Sequence, residues 1–226
     1  SLSRGGADAA VVREFDVTTK RFVEDGFVLP EAKSMTSWRD RDSIYVATDF
    51  GPGSMTESGY PRIARLWRRG TPLSSAETVA EGSAQDVYLT AMRDQTKGWE
   101  RDFVYRATTF FTNEMFLLQD GRKVRIDKPD SANANVYHDW LLLELRDDWQ
   151  VAGTTHPAGS LLACKLDAFL AGTRTFDVLF APTDRTSLAG FSPTKNHILV
   201  NVLDNVKNRI FVLTHEDGGW RRDTLP

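Results

Sequence analysis

An aromatic lead-in, a tight turn and a hydrophobic run of strand length recur along this chain at intervals of about 50 residues. The unit reads Trp38–Val46, Trp99–Tyr105, Val136–Leu143 and Phe191–Val200. Around these units lie further short runs rich in Val, Ile, Phe, Tyr and Thr, which predict strands. They are Ala10–Phe15, Ser43–Thr48, Ile63–Arg68, Asp86–Met92, Asp102–Thr109, Glu114–Leu118, Trp140–Leu145, Ser160–Leu166, Thr175–Phe180, His197–Val202 and Arg209–Thr214. Asp120-Gly121 and Asp217-Gly218-Gly219 are strong hairpin signals. No segment keeps a helical period beyond two turns, and Asp167–Gly172 predicts one helical turn closed by its glycine.

Each repeat then closes on a polar segment: Thr78–Gly82, Val124–Pro129, Phe176–Pro182 and Trp220–Pro226. Four strands per repeat is the content of a propeller blade. The pattern therefore predicts an all-β chain, a partial β-propeller of about four to five four-stranded blades, with 1–226 as a single domain. A β-sandwich or an open β-meander is the alternative, and neither accounts as well for the long period. Ala9–Phe15 stands in mid-pattern with no strand expected before it. A propeller cut from a larger one leaves unpaired edges, which predicts self-association that dilution reverses.

Composition narrows the function classes. With 28 basic and 31 acidic residues the net charge is −3. A nucleic-acid footprint is basic and clustered, so no nucleic-acid partner is expected. The longest apolar run, Trp140–Leu143, is far shorter than a membrane-spanning helix, and Ser1–Gly6 lacks the apolar stretch of a signal peptide. No membrane partner and no signal peptide are expected. Cys164 is the only cysteine, in an apolar setting that suits a buried hydrophobe. It excludes an internal disulfide and points to a reducing compartment or to cysteine-poor bacterial export, the cytoplasm being favoured over the periplasm.

The search for chemistry ends in near misses. Gly53-Ser54 and Gly190–Thr194 do not complete a G-x-S-x-G nucleophile turn. Gly51-Pro52-Gly53 has no third glycine and no following helix, so it is not a dinucleotide fingerprint. His138, His156, His197 and His215 lie far apart, with His156 expected in a surface turn, and neither a metal nor another cofactor is expected. Asp49, Asp102 and Asp139 stand at comparable positions of the repeats, where a propeller glycosidase would raise its carboxylates. Asp40, Asp42, Asp147 and Asp148 read as turn formers.

One loop stands out. Asp49–Arg62 (Asp-Phe-Gly-Pro-Gly-Ser-Met-Thr-Glu-Ser-Gly-Tyr-Pro-Arg) is long, glycine-rich and hydroxyl-rich between two short strands. Ordering such a loop costs entropy, so it is usually functional. The loop, together with Leu2–Ala9, Val12–Asp16, Gly26–Lys33, Trp67–Leu73, Phe169–Gly172 and Asn201–Lys207, resembles the propeller of prolyl oligopeptidase-type serine peptidases, especially bacterial ones. The likeness runs along essentially the whole chain and implies a central part of a seven-bladed propeller.

The resemblance implies a division of labour. A separate α/β-hydrolase domain of the parent chain carries the Ser-Asp-His triad, while the propeller covers it and restricts access to short peptides. No triad member matches a position here, so no residue is expected to be catalytic and the chain is expected to be inactive alone. The candidates for contact with peptide or with the hydrolase domain are Asp49, Phe50, Thr56, Ser58, Tyr60 and Arg62. Aromatic and arginine side chains suit interfaces. A free-standing scaffold for protein interaction is the second reading, and a propeller glycosidase the third.

Overall fold

A computed structural model describes residues 1–225. The chain divides into two compact units, Ser1–Ile126 and Asp127–Pro226. The first unit opens with a three-stranded sheet of Leu2–Ser3, Ala10–Arg13 and Val28–Ala32, and a small hairpin of Phe15–Asp16 with Arg21–Phe22. Sheet I follows, made of Met35–Asp40, Ser43–Ala47, Ile63–Arg68 and Glu77–Glu81. Sheet II contains Tyr88–Asp94, Arg101–Ala107, Asn113–Gln119 and Arg122–Arg125.

In the second unit, sheet III contains Asn133–Tyr137, Trp140–Glu144, Leu161–Lys165 and Asp177–Phe180. A small hairpin, Trp149–Val151 with Thr154–His156, is inserted between its second and third strands. Sheet IV contains Thr186–Pro193, Ile198–Asp204, Lys207–Glu216 and Gly219–Thr224. All four are antiparallel meanders whose strands pair in chain order. The expected four strands per repeat are therefore present, with each polar closing segment as a fourth strand.

Burial explains why the second strand of each repeat carries the strongest sequence signal. Every residue of Ser43–Ala47 is buried, as are Trp140–Leu143. Such a strand has a partner on both edges and side chains packed on both faces, so it is apolar without alternation. Outer strands have one free edge: Arg122–Arg125 and Gly219–Thr224 are mostly exposed and charged. The charges also discourage stray pairing at that edge.

Within the first unit the period of two distributes sheet I between two cores. Ile44 and Val46 pack with Phe27, Leu29 and Trp67, which links the N-terminal sheet to sheet I. Tyr45 and Ala47, on the other face, pack with Ala64, Ala80, Leu89, Ala91 and Val104, linking sheets I and II. Four alanines in that layer keep the sheets close. In the second unit, Trp140 and Leu142 pack with Leu161, Phe180, Ile198 and Val200 between sheets III and IV.

Turn chemistry follows the sequence. Asp120 and Gly121 both have positive φ, 50° and 71°, as a two-residue hairpin turn requires. The Asp167–Gly172 turn is a short helix, Leu166–Leu170, followed by Gly172 at φ 98°. Asp40 Oδ1 accepts from the Asp42 amide at 2.9 Å, and Asp148 Oδ1 from the Ala158 amide at 2.8 Å.

Two expectations are corrected. Ala9–Phe15 does have a preceding partner, because Leu2 pairs with Val11 and Ser3 with Ala10. The glycines of Ser1–Gly6 obscured a strand only two residues long. His156 is a buried strand end rather than a surface turn, its ring edge-on to Phe176 at 5.6 Å. The following proline ends the strand without exposing the histidine.

Glu14 anchors the N-terminal sheet to sheet I. It accepts from Arg69 Nη1 at 2.8 Å, Arg69 Nη2 at 3.0 Å and the Phe27 amide at 3.0 Å. Gly26 is required beside it, since a Cβ there would lie 2.8 Å from Glu14 Oε2. The Arg69 hydrogen bonds, and next the Phe27 amide, hold the Glu14 carboxyl below its ordinary value against the opposing effect of burial. A lowered folded pKa contributes stability above the unfolded value, about 4.3, and loses it as pH falls through the folded value. Glu14→Gln is therefore expected to lower stability at pH 7 and to flatten the acid limb of the stability–pH curve, read by urea melts between pH 7 and 3. An unchanged acid limb would contradict this role.

Candidate functional site

The Asp49–Arg62 loop joins the second and third strands of sheet I and is ordered around two buried hydroxyls. Ser54 Oγ accepts from the Phe50 amide at 2.8 Å and donates to the Gly51 carbonyl at 2.6 Å, with Asp49 Oδ1 3.1 Å away. Asp49 Oδ1 also accepts from the Gly51 amide at 2.8 Å. Gly51 and Gly53 sit at φ 106° and 80°, a backbone that side chains rarely adopt, which accounts for the Gly-Pro-Gly string.

Thr56 is the second hub. Its amide donates to the Tyr60 carbonyl at 2.7 Å, and its Oγ1 accepts from the Tyr60 amide at 3.2 Å. Ser58 Oγ lies 3.0 Å from the same hydroxyl. The loop is also tied to the segment that leads into sheet II. Glu57 N donates to Ala84 O at 2.8 Å, Leu89 N to Pro61 O at 2.8 Å, and Arg62 Nη1 to Gly82 O at 2.9 Å.

The six candidates thus divide by what they touch. Asp49, Thr56 and Arg62 hold the loop's own backbone or its attachment, Arg62 pairing with Glu81 as well. Phe50 is half-buried, with the Arg65 guanidinium 4.1 Å from its ring centroid. Ser58 is exposed. The Tyr60 ring carries Lys33 Nζ 4.0 Å from its centroid, and its hydroxyl donates to Asp8 Oδ2 at 3.4 Å. Lys33 also pairs with Asp8 at 3.5 Å. Asp8 and Lys33 were not singled out in the sequence, and their distance in the chain from Tyr60 offers no signal.

A second connection shares this end of the first unit. In an antiparallel meander the second-to-third connection lies where the first strand begins and the fourth ends. In sheet II that connection is residues 108–112, beside the linker into the sheet, where Val87 N donates to Ala107 O at 2.8 Å. Thr112 Oγ1 lies 2.7 Å from the hydroxyls of both Thr108 and Thr109. Thr109 Oγ1 accepts from the amides of Phe111 and Thr112 at 3.1 and 3.0 Å. Between these hydroxyls stand Phe110 and Phe111, 84% and 64% exposed.

Comparisons with known proteins decide the family. The model for the prolyl oligopeptidase N-terminal β-propeller domain matches residues 1–226. The chain belongs to this family. An uncharacterized peptidase of Sinorhizobium fredii is 36% identical over 229 residues, covering 97% of this chain and 32% of its own length. One of Rickettsia prowazekii is 24% identical, covering 100% of this chain and 34% of its own. The chain thus spans about a third of the curated relatives it matches. Among solved structures, a post-proline cleaving enzyme from Rickettsia typhi superposes with a TM-score of 0.91 at 24% identity, over 99% of this chain and 35% of that one. A prolyl endopeptidase gives 0.71 at 18% identity, over 98% of this chain and 32% of that one. These likenesses show the fold, a β-propeller type.

The groups of the sequence near misses sit in structural settings, although Asp102 Oδ1 is buried with no hydrogen-bond partner. Ser54 is consumed by its loop, and Ser192 lies within the strand Thr186–Pro193 rather than at a strand-to-helix turn. Asp102 pairs with Arg93 at 2.8 Å and with Arg39 at 3.8 Å. Asp139 pairs with Lys165 at 2.5 Å. Burial pushes the Cys164 thiol up to about 12, so it does not form a thiolate near neutral pH. Burial, then the charge of Asp102, also pushes Tyr45 up to about 12. Among the described residues no group of three or more His, Cys, Asp or Glu is placed to hold a metal ion.

Proposed function

We propose that this chain is the non-catalytic propeller of a serine-type oligopeptidase. In this reading it covers the active site of an α/β-hydrolase domain carried elsewhere in the same polypeptide, and admits only short peptides. One observation carries the proposal: the family match fills the chain, yet the chain amounts to about a third of the peptidases it resembles. The occupied carboxylates and hydroxyls agree with it, since a cover acts by shape and needs no reactive group of its own. The same occupancy weighs against the glycosidase reading, because Asp102 and Asp139 are each neutralised by a cation.

Within this reading the Asp49–Arg62 loop faces the hydrolase domain or the entering peptide, with Ser58 exposed on it and Tyr60 reaching Asp8 and Lys33 beside it. The rigid hydrogen bonding of the loop supports that role, because an ordered surface loses less entropy on contact.

The test compares this chain with the full-length parent protein on a short proline-containing fluorogenic peptide. The chain alone is expected to give no turnover, and the parent to give turnover abolished by a serine-directed fluorophosphonate. Hydrolysis by the chain alone, or a parent insensitive to the inhibitor, would overturn the proposal.

A further inference from the structure

We propose that Arg65, set against Phe50 at the start of the Asp49–Arg62 loop, is a carboxylate-binding group that takes the C-terminal carboxylate of a short peptide. This deepens the functional reading above and rests on it.

The third strand of sheet I and its flanks hold four arginines, and three of them have an acid. Arg62 pairs with Glu81, Arg68 with Glu77 at 3.7 Å, and Arg69 with Glu14 at 2.8 Å. Arg65 differs. Among the described residues it pairs with no carboxylate, and its Nε is buried with no hydrogen-bond partner. The side chain is half-buried, and its guanidinium lies 4.1 Å from the centroid of the Phe50 ring. Taking a guanidinium out of water is costly unless something accepts its hydrogens. An aromatic face offsets part of that cost through its quadrupole, but offers no lone pair to the five N–H donors.

The chemistry of the missing acceptor follows from the fork. A guanidinium is planar and matches the two oxygens of a carboxylate with parallel hydrogen bonds. The acids around the loop are already engaged: Asp49 Oδ1 accepts from the Gly51 amide, Glu57 Oε1 accepts from Gln85 Nε2 at 2.9 Å, and Glu81 holds Arg62. The site is also shaped in advance, because Ser54 Oγ fixes the Phe50 amide at 2.8 Å, and a preformed site loses less entropy on binding. Beside it there is room, since a Cβ on Gly51 would meet nothing within 4 Å. In the functional reading short peptides come to this loop, and a linear peptide carries a terminal carboxylate whatever its sequence. An acidic side chain of the remaining polypeptide offers the same chemistry, and the test separates the two sources.

The test uses the full-length parent protein and one internally quenched, proline-containing peptide, made with a free C-terminal carboxylate and as the carboxamide. The wild-type protein is expected to favour the carboxylate form by at least about tenfold in kcat/KM, the scale of a hydrogen bond to a charged group. Arg65→Met is expected to bring that ratio to near unity, chiefly by raising KM for the carboxylate form. Arg65→Lys, which keeps the charge but not the fork, is expected to leave an intermediate ratio. The ratio is taken within each variant, so a partly folded preparation does not alter it. Should Arg65→Met fail to fold, the Arg65→Lys ratio decides in the same way. A wild-type ratio near unity, or a preference that survives Arg65→Met, would overturn the proposal. Equal loss on both peptides in a folded variant would also overturn it, by assigning the guanidinium to an acidic side chain of the remaining polypeptide. A parent that cleaves neither peptide would overturn the functional reading and this proposal with it.

Discussion

Arg106→Met is expected to lower the stability of the chain by about 3 kcal/mol, the scale for breaking a buried ion pair by removing one partner. Arg106, on the second strand of sheet II, grips Asp86 with two bonds, Nε to Oδ2 at 2.7 Å and Nη2 to Oδ1 at 2.9 Å. Asp86 is only 5% exposed, and its Oδ2 also accepts from the Ser83 amide at 2.6 Å. Methionine fills a similar volume but leaves that carboxylate buried without its cation. Asp86 also shapes the linker: a Cβ on Gly82 would stand 2.5 Å from Asp86 Oδ2. The Glu57–Ala84 and Thr56–Val87 contacts of the long loop depend on this linker. The loss is expected as a lowered urea midpoint at unchanged slope. Arg106→Lys, which keeps the charge but not the fork, should fall between the two. In Asp86→Leu/Arg106→Met the loss should be smaller than the sum of the single changes, because the buried Asp86 charge goes with its cation while Glu114, the other partner of Arg106, keeps Arg125 at 3.2 Å. A single-variant loss under about 0.5 kcal/mol, the ordinary surface value, would show that the pair is not structural.

Leu142→Ala is expected to cost about 3–5 kcal/mol, the range for emptying a well-packed leucine site. Leu142 is fully buried in the second strand of sheet III, registered between Asn135 and Ala163. Its side chain belongs to the cluster of Trp140, Leu161, Ile198 and Val200. With strands on both edges, the site has little freedom to collapse around the cavity. Leu142→Met conserves volume and should cost less than about 1.5 kcal/mol. Val17→Ala, at a residue 79% exposed, serves as the control and should change little. Equal melting of Leu142→Ala and the control would place the core of the second unit elsewhere.

The repeat was legible because its signals are local. A run such as Ile44-Tyr45-Val46-Ala47 or Leu141-Leu142-Leu143 announces a strand packed on both faces, and Asp120-Gly121 announces the turn that reverses it. The family likeness was legible for the same reason, since it rests on strings of turns and strands. The Leu2–Ser3 strand was missed because two residues carry no periodicity. His156 was misplaced because the proline that follows marks a strand end as readily as an exposed turn.

The candidate site was legible as a segment more than as a set of side chains. Glycines and hydroxyls single out the Asp49–Arg62 loop, and the structure shows those groups holding its backbone in shape. Thr56 and Arg62, however, are used to hold it together, whereas Ser58 and Tyr60 are turned outward or toward other segments. The Phe110–Phe111 tip carried a readable signal, two aromatics flanked by threonines where a turn residue belongs.

The residues alone decided that the repeats are four-stranded meanders and which face of each long strand seeks a core, because alternation and turn preference act over a few neighbours. Only the tertiary structure decided that Asp8 meets Lys33 and Tyr60, that Glu14 meets Arg69, and that Asp86 meets Arg106. A carboxylate needs a cation within a few ångströms, and many arginines satisfy that equally until packing brings one of them near.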